Sequence, residues 1–452
     1  MDTIPVINNP APVAQANRIK SIDSIRGFAL LGILLMNIPG FGINWSYFQT
    51  ILNGPHNTQD YYTEAAVDIF FEGTMRGLFS MLFGAGMVLF LQGKKELPDG
   101  PTVAELYFRR LLWLVLFGVI NAYVLLWGGD ILYFYGLCGM LLYVFRKTSP
   151  KWLLVLGLVC FATMAFKGQL GYNELREKRK DYKLAIQAEK EKQKLTPEQL
   201  KAIEEWNTIE KQNVPDTARA NSHNTKMHAG YTTIFEYFIP RNAGGESYGM
   251  YQWAIWDCLG MMLIGMALFS WGYFSNKLST STYTMGLLIG YGIGIPIGVI
   301  MFTKGRMLPN AEFGAFVDRY RVDFWSLYDV RRLLLTLGHA SLLMLAFRTK
   351  IFSGLMKALS NVGQMAFTNY LMQSIICTLF FYGYGLGYYN KLKFHQIYYV
   401  AFSVWIFQLI FSAIWLHYFR FGPFEWLWRS LTYWKRQPFV KEKNVTVNLV
   451  NQ

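Results

Sequence analysis

Stretches that are long, apolar and nearly uncharged limit this chain more than any other feature. Residues 28–36, 111–120, 261–269 and 401–416 carry almost no charge. A helix needs roughly 20 mostly apolar residues to cross the hydrocarbon core of a bilayer. Ten such segments are predicted, at 25–43, 66–91, 106–127, 130–146, 151–168, 250–272, 282–303, 329–348, 364–386 and 397–418. The expected fold is therefore an all-α polytopic membrane protein. Only 16% of the 452 residues are charged, against roughly 25% in an ordinary soluble domain. The mean hydropathy is a modest +0.20, because a polar insert separates the fifth and sixth spans. The chain thus divides into a polar tail at 1–17, a first membrane bundle at 18–170, an insert at 171–249, a second bundle at 250–436 and a tail at 437–452. The first apolar segment is too long for a cleaved signal, contains Arg26 and lacks an Ala-x-Ala exit, so it is expected to stay.

Orientation follows from Lys and Arg near the span ends. With the N-terminus inside, the inner loops hold Arg18 and Lys20, then Lys94, Lys95, Arg109 and Arg110, then Arg146, Lys147 and Lys151. The later inner segments hold Lys277, Arg348, Lys350 and Lys357, and the C-terminal tail adds five more cations. The outer loop 44–65 has none. Both termini are therefore expected in the cytoplasm. Lys304, Arg306, Arg319, Arg321, Arg331 and Arg332 break the rule in an outer loop, so either the topology fails there or those cations face a site. The net charge of +14 is accounted for by cytoplasmic loops and anionic headgroups, not by nucleic acid. Cys138, Cys160, Cys258 and Cys377 all fall in apolar runs, without metal-ligand or disulfide-framework spacing.

The insert lies on the extracytoplasmic side in this topology. Its first part, 173–194, has the Glu, Lys and Arg content of a solvated helix. Thr196, Pro197 and Gln199 form a capping-box start with Pro at the first helical position. A helical hairpin projecting from the membrane is expected, either as a spacer or as a cover over substrate.

Ionisable residues within spans are costly and mark functional candidates. Asp68, Glu72 and Arg76 on the second span are four residues apart, and an unbroken helix would stack them on one face. Glu72 and Arg76 would pair and leave Asp68 for another partner. Asp23 and Arg26 share a face at the cytoplasmic mouth of the first span, and Asn37 lies past mid-bilayer. Asn369 and Gln373 form an amide face on the ninth span. Asp130 follows two glycines at an outer helix start, where a carboxylate caps free N–H groups. His339 falls mid-span, where a bond to a neighbouring helix is the expectation. His56 lies in the outer loop twelve residues before Asp68. Gly84 and Gly86 suit close helix packing.

Several islands resemble a known family. They are the run from Ile22 through Asp23, Arg26 and Gly27 to Gly32 with Met36-Asn37; Leu78-Phe79-Ser80-Met81-Leu82-Phe83-Gly84; Gly129-Asp130-Ile131-Leu132; Thr368-Asn369-Tyr370-Leu371-Met372-Gln373-Ser374; and the run from Phe421 to Arg429. Together they resemble the YeiB-like family of bacterial membrane proteins over about residues 18–436. The opening motif also resembles heparan-α-glucosaminide N-acetyltransferase and, more distantly, other transmembrane acyltransferases. That resemblance implies transfer from cytosolic acyl-CoA, acetyl-CoA by preference, to an acceptor on the far side. It implies substrate-binding roles for Asp23, Arg26 and Asn37, and Glu72, Arg76, Asp130, Asn369 and Gln373 join that set as polar groups placed within or at the ends of spans. It also implies His56 as the catalytic base with Asp68 orienting it, and Arg26 and Arg109 on the phosphates of coenzyme A. The surroundings of His56 match the pattern poorly, and Asn121 stands where the YeiB-like pattern implies His.

The chemistry suits acyl transfer. A neutral imidazole can deprotonate an acceptor or carry the acyl group, and Asn37 or backbone N–H groups can steady an oxyanion. No metal is required. The partners on this reading are membrane lipids, a small-molecule or cell-envelope acceptor and a second copy of the chain, in a bacterial inner membrane. The competing reading is a secondary transporter that uses Asp68, Glu72, Arg76 and His339 to hold a solute or move protons.

Overall fold

The computed structural model describes residues 19–92, 100–213, 217–306, 313–349 and 351–441. The tail at 1–17, Lys94, Lys95, Lys350 and most of the tail at 437–452 lie outside them. Every extended element among the described residues is helical, apart from one isolated bridge between Phe419 and Val440.

The first half comprises α1 (Lys20–Gly42), α2 (Trp45–Asn53), α3 (Gln59–Phe71), α4 (Thr74–Gln92), α5 (Val103–Val119), α6 (Leu132–Leu142) and α7 (Pro150–Lys190). The middle comprises α8 (Pro197–Asn213), α9 (Thr217–Met227) and α10 (Tyr231–Gly244), which passes through a π-helical stretch, Gly245–Ala254, into α11 (Ile255–Ser270). The remainder is α12 (Thr280–Ile300), α13 (Phe313–Arg319), α14 (Tyr328–Arg348), α15 (Ser353–Gln364), α16 (Ala366–Phe381), α17 (Phe394–Tyr418) and α18 (Pro423–Tyr433).

Among the described residues, seven stretches are long and apolar enough to cross a membrane: α1, α3–α4, α7, α10–α11, α12 with its continuation to Gly305, Phe324–Arg348 and α17. The shorter apolar helices α6 and α16, and α5 with its π-helical continuation Ile120–Val124, bring the apolar helical segments to ten, each overlapping an expected span. The molecule is an all-α polytopic membrane protein. Ile19, Arg110 and Tyr433 line one cavity, so the starts of α1 and α5 share an end with α18. At the other end the backbone N–H of Asn390 reaches Gly42 O at 2.8 Å, and His395 meets Asp60.

Glycine sets the closest crossings. A side chain on Gly27 would overlap the Leu359 carbonyl of α15, and one on Gly363 would overlap that of Asp23. Gly84 on α4 and Gly265 on α11 meet the backbones of Met262 and Met81 in the same way. With no hydrophobic drive between helices in lipid, such close backbone packing holds the bundle. Gly86 is different, because no atom lies within 4 Å of where its Cβ would be.

Neither end of the insert coincides with a helix end. The 41 residues of α7 extend about 60 Å by helical rise, roughly twice the hydrocarbon thickness, so the helix runs out of the membrane unbroken. The sixth span likewise begins at Tyr231, not near 250, because the π-helical stretch keeps α10 and α11 continuous. Between them stands the projecting hairpin of α7 and α8. Its capping box is formed: Thr196 N donates to Gln199 Oε1 at 2.9 Å, and Gln199 N donates to Thr196 Oγ1 at 3.3 Å. Trp206 is fully buried beneath Tyr182, Phe313 and the Arg179 guanidinium. Arg179 also pairs with Asp318 of α13 at 3.2 Å.

Candidate functional site

The second span is not one continuous helix. The chain breaks at Glu72-Gly73, where Gly73 adopts φ +72. This is the left-handed conformation in which glycine commonly ends helices. The break removes Glu72 from the register that would have stacked it over Arg76. Arg76 instead pairs with Asp257 of α11 at 3.3 Å and reaches the Tyr328 hydroxyl at 3.4 Å. Asp257 also pairs with Arg332, whose other nitrogen donates to Asp329 at 2.8 Å. Arg331 donates to the carbonyls of Asp68 and Glu72, each at 3.0 Å, and faces the Asp68 carboxylate at 3.9 Å. Those carbonyls belong to the last turn of α3, where no helical partner is available. Arg331 and Arg332 are thus outer-loop cations turned into the bundle, 1% and 0% exposed. The network bears only a small recess, beside Asp68 and Arg331.

His56 and Asp68 have different neighbours. His56 is exposed and stacks on Tyr61 with 4.6 Å between ring centroids. The outer face instead holds a pair that spacing did not reveal. His395 Nδ1 lies 2.6 Å from Asp60 Oδ1, and the His395 backbone N–H donates to the same oxygen at 2.8 Å. This joins α17 to α3 across 335 residues. His339 bonds to Phe70 O at 2.9 Å and to the Tyr291 hydroxyl at 2.7 Å, so it ties α14 to α3 and α12.

Asn369 and Gln373 turn inward. Asn369 Nδ2 donates to Ser412 Oγ at 2.9 Å, Gln373 Nε2 to Gln408 Oε1 at 3.1 Å, and Gln408 Nε2 to Asn369 O at 2.7 Å. They tie α16 to α17. Asn37 is half-buried towards the outer end of α1.

The principal cavity occupies about 270 Å³ between α1, α4, α5, α6, α16 and α18. Its charged lining residues are Asp23, Arg26, Arg110, Glu425 and Arg429, and its mouth is the end nearest Ile19, at the start of α1. Arg26 pairs with Asp23 at 3.1 Å. The Glu425 carboxylate is committed to the start of α16, accepting from Phe367 N at 2.7 Å, Thr368 N at 3.0 Å and Thr368 Oγ1 at 2.5 Å. Burial, the largest influence, holds its pKa above the ordinary carboxylate value despite those donors. Arg110 has no carboxylate partner among the described residues and is clamped between Trp428 and Phe90, 4.3 and 5.5 Å from their ring centroids. Arg109 faces elsewhere, paired with Glu105 and near Trp434. The phase of α5 therefore directs Arg110, not Arg109, into the cavity, a distinction adjacent residues conceal until helix packing is known.

From the mouth the cavity follows the wall of α4 from Phe90 to Phe79, past Gly86 and Leu82. Eleven helical steps make this about 16 Å. It ends at Ile131, Leu132, Tyr135 and Tyr370. Asp130 lies just beyond, accepting from Asn121 Nδ2 at 2.8 Å, Tyr133 N at 2.9 Å and the Tyr370 hydroxyl at 3.4 Å. The bond to Tyr133 is the helix cap expected of it. Of the candidate residues, Asp23 and Arg26 line this cavity, and Asp130 stands behind its deep end. Asp68, Glu72 and Arg76 belong to the separate charged network.

Comparison with known proteins fits this architecture. Residues 268–435 match the model for "Protein of unknown function (DUF418)". YxaH of Bacillus subtilis (strain 168), described as uncharacterized, is 32% identical over 445 residues, which covers 96% of this chain and 99% of the relative. The chain belongs to the YeiB-like DUF418 family. YeiB of Escherichia coli (strain K12), also described as uncharacterized, is 30% identical over 91% of this chain and 95% of its own length. An uncharacterized 39.9 kDa protein of Bacillus acidopullulyticus is 25% identical over 96% and 99%. No solved structure matches. The DUF418 match covers the second half of the chain, including α16 and α18, whereas the mouth also needs Asp23, Arg26 and Arg110 from the first half.

Proposed function

We propose that this DUF418 protein is a transmembrane acyltransferase of the bacterial cytoplasmic membrane. It takes an acyl group from cytosolic acyl-CoA and passes it to a hydroxyl- or amine-bearing acceptor of the cell envelope. The observation that carries this reading is the cavity, which has arginines at one end, apolar walls along its length and a buried polar group at its far end. Arg26, Arg110 and Arg429 suit the phosphates of coenzyme A, because guanidinium groups pair with phosphate through planar, charge-assisted bonds. The cavity's length of about 16 Å along α4 exceeds half of the roughly 30 Å hydrocarbon core. A thioester at its deep end would thus lie closer to the outer face than to the cytosol. The transporter reading needs a solute site among the membrane charges. Those charges are matched to one another and to broken-helix carbonyls, which suits a role in joining α3, α4, α11 and α14.

The test uses purified protein in proteoliposomes, with labelled acetyl-CoA or a longer acyl-CoA supplied on the Arg110 side. Label on an acceptor supplied on the opposite side is the expected result. Failure of every acyl-CoA both to donate label and to raise the unfolding temperature refutes the reading.

A further inference from the structure

Several departures from regular structure converge where the cavity ends. Helix α5 loosens into the π-helical turn Ile120–Val124, closed by Leu125 N donating to Ile120 O at 3.0 Å. Such turns inside α-helices are frequent at functional sites. Leu126 follows in the left-handed region, φ +57, a strained conformation for a residue with a branched side chain. Asn121 and Asp130, behind the cavity wall, connect to Tyr370 in the wall itself, and the three are 0%, 6% and 3% exposed. The Tyr370 hydroxyl accepts from Ile131 N at 3.2 Å and donates to Asp130 at 3.4 Å. Asn121 donates to the same carboxylate oxygen at 2.8 Å, so its own Oδ1 points elsewhere, and that atom has no hydrogen-bond partner. An unpaired buried acceptor costs about 1–3 kcal/mol. Gly118 lies against the group, and a side chain there would overlap Asp130 Oδ2.

We propose that this group is the reacting centre of the acyl transfer, with Tyr370 the catalytic residue and Asp130 and Asn121 its positioning residues. The inference rests on the acyltransferase reading and identifies where in the cavity the chemistry occurs. Tyr370 is the member that lines the cavity. The acceptor oxygen or nitrogen attacks the thioester carbonyl carbon. Its proton passes to the Tyr370 oxygen as the Tyr370 proton passes to the Asp130 carboxylate. The new C–O or C–N bond forms, the C–S bond breaks, and the leaving thiolate receives a proton from Tyr370. Tyr370 is reprotonated from Asp130, so both groups return to their starting states. No further reactant is needed. Asn121 fixes the carboxylate so that one oxygen stays directed at the Tyr370 hydroxyl.

The experiment measures CoA release from acetyl-CoA with glucosamine, glycerol and ethanolamine as the hydroxyl and amine probes, together with thermal stabilisation by CoA alone, in the full-length protein. Tyr370→Phe removes one oxygen and keeps the ring. It should lower kcat by about 100-fold or more, as expected for loss of a proton-transfer group, with KM and the CoA-dependent stabilisation unchanged. Asp130→Asn keeps the shape of the helix cap and should show the same kcat-specific loss, whereas a purely structural role would lower stability and CoA binding together. Turnover by Tyr370→Phe within about threefold of the parent protein overturns the assignment while leaving acyl transfer intact. Absence of turnover in the parent protein overturns both.

Discussion

Substitution of Gly86 gives the most direct test that the cavity receives a ligand. Gly86 lines the cavity on α4, and its missing side chain would meet nothing within 4 Å. The two ordinary costs of replacing a buried helix glycine, overlap and left-handed backbone, are therefore absent. Gly86→Ala should stabilise the protein by about 0.5–1 kcal/mol, the usual gain in a helix interior. Gly86→Phe adds an aromatic ring, and a cavity of about 150 Å³ is enough to hold benzene, so the ring occupies roughly half of the available 270 Å³. What remains cannot admit a continuous arm from the Arg110 mouth to Tyr370. Acyl-CoA at about one hundred times its Kd stabilises the native state by about 2.7 kcal/mol. Gly86→Phe should lose that whole increment while keeping the ligand-free stability of the parent protein. Thermal unfolding with and without acyl-CoA, read on detergent-solubilised protein, measures both quantities. An undiminished acyl-CoA shift in Gly86→Phe would show that the ligand does not use this cavity.

Other consequences follow from particular contacts. Arg331→Leu removes the donor to the carbonyls of Asp68 and Glu72 and breaks the buried Arg331–Asp68 ion pair, and should destabilise the bundle by about 3–5 kcal/mol, measured by denaturant unfolding in micelles. Trp206→Ala opens the small core of the projecting hairpin and should cost about 3–5 kcal/mol locally, detectable as protease cleavage in α7 or α8 with the membrane bundle intact. His223 joins α9 to the bundle through the hydroxyls of Tyr237 at 2.5 Å and Tyr389 at 2.7 Å. Burial, followed by the charges of Arg241 and Lys226, pushes its pKa down to about 4. An unfolded His titrates near 6.5, so the neutral form is favoured in the docked state. Its contribution is complete above about pH 6.5 and declines as the pH falls towards 4. Hydrogen exchange in α9 should accelerate through that window, and an exchange rate independent of pH after correction for intrinsic chemistry would exclude His223 as the cause.

What the sequence made legible was whatever repeats along one helix. The ten spans are visible because twenty apolar residues are a local requirement, and the Thr196 capping box because it involves four consecutive residues. The site was harder to read, because its groups meet across the chain. Asp130 and Tyr370 lie 240 residues apart, and His395 and Asp60 lie 335 apart. The stacking of Asp68, Glu72 and Arg76 assumed a continuous helix, and one glycine removes that assumption. The break then accounts for two of the six cations that depart from the charge rule. Carbonyls released within the membrane need donors, and a helix start rich in arginine supplies them from the outer side. Arg331 and Arg332 therefore count with the interior of the bundle, not with the loop from which they come. Lys304, Arg306, Arg319 and Arg321 remain in that outer segment, while Arg26, Arg110 and Arg429 line the cavity at the opposite end. The same separation divides the intramembrane charges into two classes. Those at Asp68, Arg76, Asp257 and Arg332 are matched within the protein. Arg110 is stacked on Trp428 and has no carboxylate partner among the described residues, which on the proposed acyltransferase reading is the arrangement that receives an anion.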